Sequence, residues 1–271
     1  MKIKLSSPKE KKLRATRYPR AFERQFSEFN RAMVEAITKQ YRNNTLKKLT
    51  KADVSKFADK KIGNYAEVFN KLSRDAKRRI TKRFNNDRLD SFVKEFMQGI
   101  DVANAKDIYG AVESSIGIDQ AVLAKSERLK PSFNALVQET SNWVKKLRDD
   151  VLEDFSAVTL RNMALGKSLE EILVEFDILA EKKDGVANSM ARTQVSTYNS
   201  LSTKFRAQNL GISEAIWKTS QDRRVRKSHA DRNNKKFDLA KGLYSSVDKK
   251  WLLPGVDYNC RCTYIMIIPE E

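Results

Sequence analysis

Asp222–Cys262 reads DRRVRKSHADRNNKKFDLAKGLYSSVDKKWLLPGVDYNCRC. It holds the chain's only histidine, His229, both of its cysteines, Cys260 and Cys262, and a Pro254-Gly255 turn. Charged turns separate short apolar runs here, whereas most of the chain reads as charged amphipathic helix. A strand is expected on each side. Upstream, residues 215–219 (AIWKT) are apolar and partly β-branched; downstream, residues 262–268 (CTYIMII) are apolar and β-branched and stop at Pro269. The stretch therefore predicts a mainly α protein with a small C-terminal α+β domain, in which a long-helix region precedes a module built on a short β-sheet.

The helices can be followed upstream from this module. One is expected through Met190, Val195, Tyr198, Leu201 and Phe205, after a turn at Asp184-Gly185 and with its C-terminal cap at Gly211. Ser168 followed by Glu171 forms a capping box that starts a helix. Pro131 opens the longest candidate helix, with Leu136, Trp143, Leu147, Val151, Phe155 and Val158 on one face and a stop at Gly166. A weaker helical pattern covers residues 101–117. Leu89, Phe92, Val93, Phe96 and Met97 make an apolar face begun at Asn85-Asn86-Asp87 and closed by Gly99. Tyr65, Phe69, Leu72, Ala76 and Ile80 mark a helix whose far end carries Lys77, Arg78, Arg79, Lys82 and Arg83. The first helix starts near Tyr18 and Pro19, with Phe22, Phe26, Phe29, Met33, Ile37 and Tyr41 in one stripe. The domains expected are a basic flexible arm over 1–17, a helical domain over 18–165 and the α+β domain over 166–271.

Charge narrows the partners. The 271 residues carry a net charge of +18. Residues 1–100 hold +16 of it, residues 101–200 hold −4 and residues 201–271 hold +6. Such a balance points to nucleic acid or another polyanionic or acidic partner. The candidate nucleic-acid contacts are Lys9, Lys11, Lys12, Arg14, Arg17 and Arg20, in a segment with little apolar material to bury. No secretory signal is expected at the N-terminus, and no run approaches the roughly 18 apolar residues of a membrane span. Two cysteines one residue apart do not make a secreted disulfide framework and fit a reducing cytoplasm.

The reactive side chains admit three readings. His229, Cys260 and Cys262 are zinc-type ligands, with Asp222 or Asp257 as a fourth, and Cys-x-Cys on a strand puts both sulfurs on one side. Alternatively the thiols are small buried side chains and His229 bonds to backbone. A Cys/His pair with Asp222 also has the makings of a nucleophile, although no Gly-rich phosphate loop or paired-carboxylate motif accompanies it.

Taken in order, the residues resemble the phage Mu F-like domain of phage head morphogenesis (minor head) proteins. The resemblance runs over about the last hundred residues, through Arg192-Thr193 and Asn199, then Gly211 and Trp217. It continues through Asp222, Arg224, Arg226, His229 and Ala230, and ends at Pro254, Gly255 and the run Asn259, Cys260, Arg261, Cys262 and Thr263. Asn233-Asn234 stands where many members have Asp-Gly, and Asn tolerates the left-handed geometry of such a turn. The resemblance implies a non-enzymatic virion protein, made in the host bacterial cytoplasm and placed in the capsid interior near the portal. It would aid head assembly and contact the portal protein, packaged double-stranded DNA and, among further partners, scaffold or major capsid protein. Some relatives carry a toxin after this domain, and the nine residues after Cys262 are expected to leave no room for one. Two rival functions remain: a DNA-binding protein unrelated to the portal, and an enzyme using the His229/Cys260 region.

Overall fold

The computed structural model describes residues 11–13, 16–43, 62–121 and 130–268. Five long helices dominate the described residues: α1 (Arg20–Tyr41), α2 (Ile62–Arg83), α3 (Asn86–Ile116), α4 (Lys130–Ala164) and α5 (Leu169–Asn209). They follow a two-residue strand β1 (Lys11–Lys12). After α5 come β2 (Glu214–Lys218), the short α6 (Lys227–Ala230), β3 (Lys236–Asp238), β4 (Leu243–Ser245), β5 (Lys250–Leu252) and β6 (Thr263–Ile268). A mainly α chain with a small C-terminal sheet is what the sequence predicts.

Several boundaries lie where local chemistry places them. Asn85 Oδ1 accepts the Arg88 N–H at 2.9 Å and caps α3. Ser168 and Glu171 close a reciprocal box at the start of α5: Glu171 N–H donates to Ser168 Oγ at 3.2 Å, and Ser168 N–H donates to Glu171 Oε2 at 2.7 Å. At the end of α5, Ile212 N–H reaches Ala207 O and Gly211 N–H reaches Gln208 O, with Gly211 at φ 74°. That is a Schellman ending, open to glycine because a Cβ at this φ costs energy.

Other boundaries are overridden by packing. The expected stop at Gly99 is absent, and α3 runs through it for 31 residues. A Cβ at Gly99 would sit 3.1 Å from Phe22 Cε1, so this glycine admits an aromatic ring inside a continuous helix. The expected turn at Asp184-Gly185 is likewise absent, and α5, with 41 residues, is longer than α4. A helical glycine costs about 1 kcal/mol relative to alanine. Burial of Ala187, Met190 and Ala191 just beyond outweighs that cost. In α4 the buried stripe is Val144, Leu147, Val151, Leu152, Phe155 and Met163, whereas Trp143, expected on it, is 46% exposed.

The chain divides into two compact units, residues 1–23, 95–136 and 192–271, and residues 24–94 and 137–191. The second is a helical core. Phe29 stacks on Phe92 with centroids 3.6 Å apart, and Phe155 lies 4.1 Å from Phe176. Tyr41 packs against both rings of the latter pair, and its hydroxyl is within hydrogen-bond distance of Ser73 Oγ (3.0 Å) and Ser156 Oγ (2.7 Å).

The first unit contains the sheet. Its four strands are antiparallel in the order β1-β6-β2-β3, and β4 and β5 form a separate hairpin. Trp217 stands opposite Tyr264, and Ala215 stands opposite both Met266 and Phe237. These side chains pack with Ile108, Tyr109 and Val112 of α3 and Ala207 of α5 in one core. The sequence predicts a flexible arm over residues 1–17. Among them Lys11–Lys12 pair with Ile268 and Ile267, Leu13 is buried, and the Leu13 and Thr16 N–H groups donate to Met266 O and Tyr264 O.

Candidate functional site

One face of the C-terminal half of α5 is built from small polar residues, and the loop before β6 is fastened to it. Ser200 Oγ donates to Pro254 O at 2.6 Å, and Tyr264 Oη donates to Ser200 O at 2.5 Å. Gly255, at φ 87°, lies so close that a Cβ would be 2.9 Å from Ser196 Oγ and 3.1 Å from Cys262 O. Only glycine meets both demands. One turn earlier on the same helix, Thr193 Oγ1 accepts the Asn259 N–H at 2.9 Å. Arg192 donates to Asn259 Oδ1 at 2.6 Å and to Glu23 Oε1 at 2.8 Å. Asn259 is held at φ 56° by these bonds, and its turn delivers Cys260 and Cys262 into the core.

The two sulfurs meet His229 there. His229 Nδ1 is 3.5 Å from Cys260 Sγ and 3.6 Å from Cys262 Sγ, and the Cys262 N–H points to Cys260 Sγ at 3.4 Å. All three residues are buried. His229 Nε2 lies 3.3 Å from Asp257 Oδ2, an ion-pair distance although off the N–H line. The same carboxylate takes Arg226 Nη2 at 3.0 Å. Bonding from the Cys262 thiol, and then from His229, pulls the Cys260 thiol down to about 4 against the cost of burial. Its neighbour Cys262 is pushed up by the same bond and by burial. Trp217, fully buried, sets its ring edge-on to His229 with centroids 5.7 Å apart and carries the Arg232 guanidinium 5.3 Å from its centroid.

The remaining charges of the motif brace the loop that leads to α6. Asp222 Oδ1 accepts the Arg224 N–H at 2.9 Å, and Asp222 Oδ2 pairs with Arg261 Nη2 at 2.6 Å. Burial opposes ionisation of Asp222, but the Arg224 N–H and the Arg261 and Arg224 guanidiniums outweigh it and hold the carboxyl below its ordinary range. Asp222 is thus engaged by arginines, and Asp257 is the carboxylate that faces His229. The Asn233-Asn234 turn keeps its geometry: Asn234 sits at φ 66°, and its N–H donates to Trp217 O at 2.8 Å.

Comparison with known proteins finds a similarity over this part of the chain. A family model described as Phage Mu protein F like protein matches residues 153–265. Residues 153–265 are therefore similar to the phage Mu F-like family. This is a family of phage head morphogenesis. A curated protein of Haemophilus influenzae (strain ATCC 51907 / DSM 11121 / KW20 / Rd), described as uncharacterized, is 24% identical over 246 residues. That alignment takes in 89% of this chain and 53% of the relative, so the chain spans about half the length of the curated protein it matches. No solved structure matches.

Within residues 153–265, the residues that carry the resemblance fall into two connected groups. Arg192, Thr193, Pro254, Gly255 and Asn259 join α5 to the loop before β6. Trp217, Asp222, Arg224, Arg226, His229, Cys260, Arg261 and Cys262 form and brace the buried cluster. Asn199 does a third job. Its Nδ2 donates to Arg17 O at 3.4 Å, its Oδ1 accepts from Asn104 Nδ2 at 2.8 Å, and Asn104 Oδ1 in turn accepts from Arg206 Nη1 at 2.6 Å. Sequence reasoning passed over Asn104, Ser196, Ser200 and Arg206. For Ser196 and Ser200 the signal was the run of small polar residues at helical spacing, Ser196, Ser200 and Thr203, on a helix that would otherwise bury apolar side chains there.

The basic candidates are spread differently. Lys9 and Arg14 lie outside the described residues, and Lys11 is placed in β1. Lys12, Arg17 and Arg20 are exposed. Arg17 and Arg20 border a cleft of about 880 Å³ in the first unit, also lined by Lys106 and Asp107, and Asp107 accepts the Arg17 N–H at 3.1 Å. In the second unit, Lys71, Arg74, Lys77, Arg78, Arg79, Lys82 and Arg83 of α2 are all exposed. Among the described residues, no helix is long and apolar enough to cross a membrane.

Proposed function

We propose that this protein is a structural component of the phage head, placed in the capsid interior near the portal, where it aids assembly and contacts packaged double-stranded DNA. The observation that carries the DNA part is the α2 surface. Seven exposed cations occupy the thirteen residues Lys71–Arg83, with Asp75 as the sole acidic residue among them. A helix face of this kind attracts phosphate without reading sequence, because the free energy comes from releasing counterions. The portal part is supported by the β4–β5 hairpin. There Tyr244, Val247 and Trp251 are 50%, 74% and 58% exposed beside Lys249 and Lys250, a surface suited to a protein partner.

The burial of the His229, Cys260 and Cys262 cluster favours a structural over a catalytic role for it. A Cys–His–Asp order of contacts is present, but the adjoining cavity is only about 20 Å³. That is room for about one water molecule and not for a substrate.

The DNA reading is tested by titrating the full chain with unrelated duplexes across a salt series. Affinity is expected to be independent of sequence and to fall steeply with salt. Replacing Lys77, Arg78, Arg79 and Lys82 by alanine should reduce the log–log salt slope by about 0.9 for each phosphate that the variant no longer neutralises. An unchanged slope in that variant would remove α2 from the interface.

A further inference from the structure

We propose that His229, Cys260 and Cys262 are the protein ligands of a zinc ion that locks the loop before β6 to the end of the sheet. The spacing of the donor atoms fits such an ion. A tetrahedral zinc with bonds of about 2.3 Å to sulfur and about 2.0 Å to nitrogen separates its nitrogen and sulfur ligands by roughly 3.6 Å. His229 Nδ1 stands 3.5 Å and 3.6 Å from the two sulfurs. All three donor atoms lie within 4.8 Å of one another, so one ion can reach them together.

The donor set selects the metal. Two thiolates and one imidazole suit zinc, whereas carboxylate and carbonyl oxygens would suit calcium or magnesium. The surroundings already orient the ligands. Asp257 Oδ2 stands 3.3 Å from His229 Nε2, the ring nitrogen opposite the Nδ1 that faces the two sulfurs. The Cys262 N–H directed at Cys260 Sγ is the kind of donor that supports a bound thiolate. Among the described residues, no fourth His, Cys, Asp or Glu joins the group. The adjoining cavity of about 20 Å³ has room for one solvent molecule as the fourth ligand. A metal would also explain why a small domain with three-residue strands draws its only histidine and both cysteines to one buried point. In small domains, metal binding supplies part of the folding free energy.

The test uses the full chain, purified under reducing conditions without chelator, desalted, and assayed for metal by mass spectrometry. About one zinc per chain is expected, and Cys262→Ser and His229→Gln should lose it. Because either variant can fail to fold, the unmutated chain is also stripped with chelator and titrated with Co²⁺. An intense near-ultraviolet thiolate-to-cobalt band should then appear and saturate at one equivalent. The thermal midpoint should rise with added zinc and fall with EDTA. Absence of retained zinc together with no cobalt–thiolate band would overturn the proposal. So would a Cys260–Cys262 disulfide in chain purified without oxidant. The head-protein reading does not depend on either outcome.

Discussion

Replacing Asp101 by asparagine should destabilise the first unit more than removing the arginine it faces. Arg206 is wholly buried; its Nη2 lies 2.9 Å from Asp101 Oδ1 and its Nη1 donates to Asn104 Oδ1 at 2.6 Å. The gross attraction of the ion pair is about 6 kcal/mol at an effective dielectric constant near 20. Most of that is cancelled by the cost of desolvating the two charges. Breaking a fully buried pair from one side costs roughly 3–5 kcal/mol. Asp101 retains 25% of its side-chain exposure, which lowers the expectation for Asp101→Asn to about 2–3 kcal/mol. The reverse change, Arg206→Met, leaves a carboxylate that water can reach and removes the buried cation altogether. Its cost is about 1–2 kcal/mol, from the missing hydrogen bond at Asn104. The double variant should cost less than the sum of the two. Urea unfolding would measure this by the emission of Trp217, buried in the same unit, in a background where Trp143 and Trp251 are phenylalanine. Asp101→Asn within about 0.5 kcal/mol of the parent, or milder than Arg206→Met, would show that the buried guanidinium does not depend on this carboxylate.

Two further changes probe the backbone. Gly242 sits at φ 86°, and a Cβ there would lie 2.4 Å from Leu252 O, so Gly242→Ala must spread the β4–β5 hairpin and should cost about 2–4 kcal/mol by thermal or urea unfolding. Gly185→Ala, in the interior of α5 with nothing within 4 Å, should instead stabilise by roughly 0.5–1 kcal/mol. Ser168→Ala should cost about 1 kcal/mol through loss of the α5 cap. Glu171, the other half of that cap, has its carboxyl held below its ordinary value by the Ser168 N–H and then by the Ser168 hydroxyl. A depressed folded-state pKa adds stability above the unfolded carboxylate pKa and loses it as pH falls through the folded value. The stability gap between the parent and Glu171→Gln should therefore be present at about pH 7 and shrink towards about pH 3, as followed by circular dichroism.

How much of this was legible in the sequence follows from where the controlling interactions lie. The stripe from Phe22 to Tyr41, the cap at Asn85, the Ser168–Glu171 box and the ending at Gly211 are written in neighbouring residues, and they appear as expected. Gly99 and Asp184-Gly185 misled because their local preference is worth about 1 kcal/mol, and distant partners outweigh it: the Phe22 ring at Gly99, and burial of Ala187, Met190 and Ala191 after Gly185. Strand β1 has no pattern of its own. Its two lysines are held by backbone pairing to β6, at a sequence separation that periodicity does not see. In the candidate site, ligand chemistry picked out His229, Cys260 and Cys262, and resemblance picked out the residues around them. The function of the serines on α5 emerged only when the helix face was set against Pro254–Asn259, and that of Asn199 only through its bonds to Arg17 and Asn104.

A head protein that works beside the portal should bind it, and co-purification tests this most directly. The full chain, expressed together with the portal protein of the same phage, should be retained with it at low salt and released progressively as salt rises. A Val247→Ser, Trp251→Ala variant of the exposed hairpin should weaken retention without changing the fold. Failure to retain any portal protein at low salt would contradict a role beside the portal.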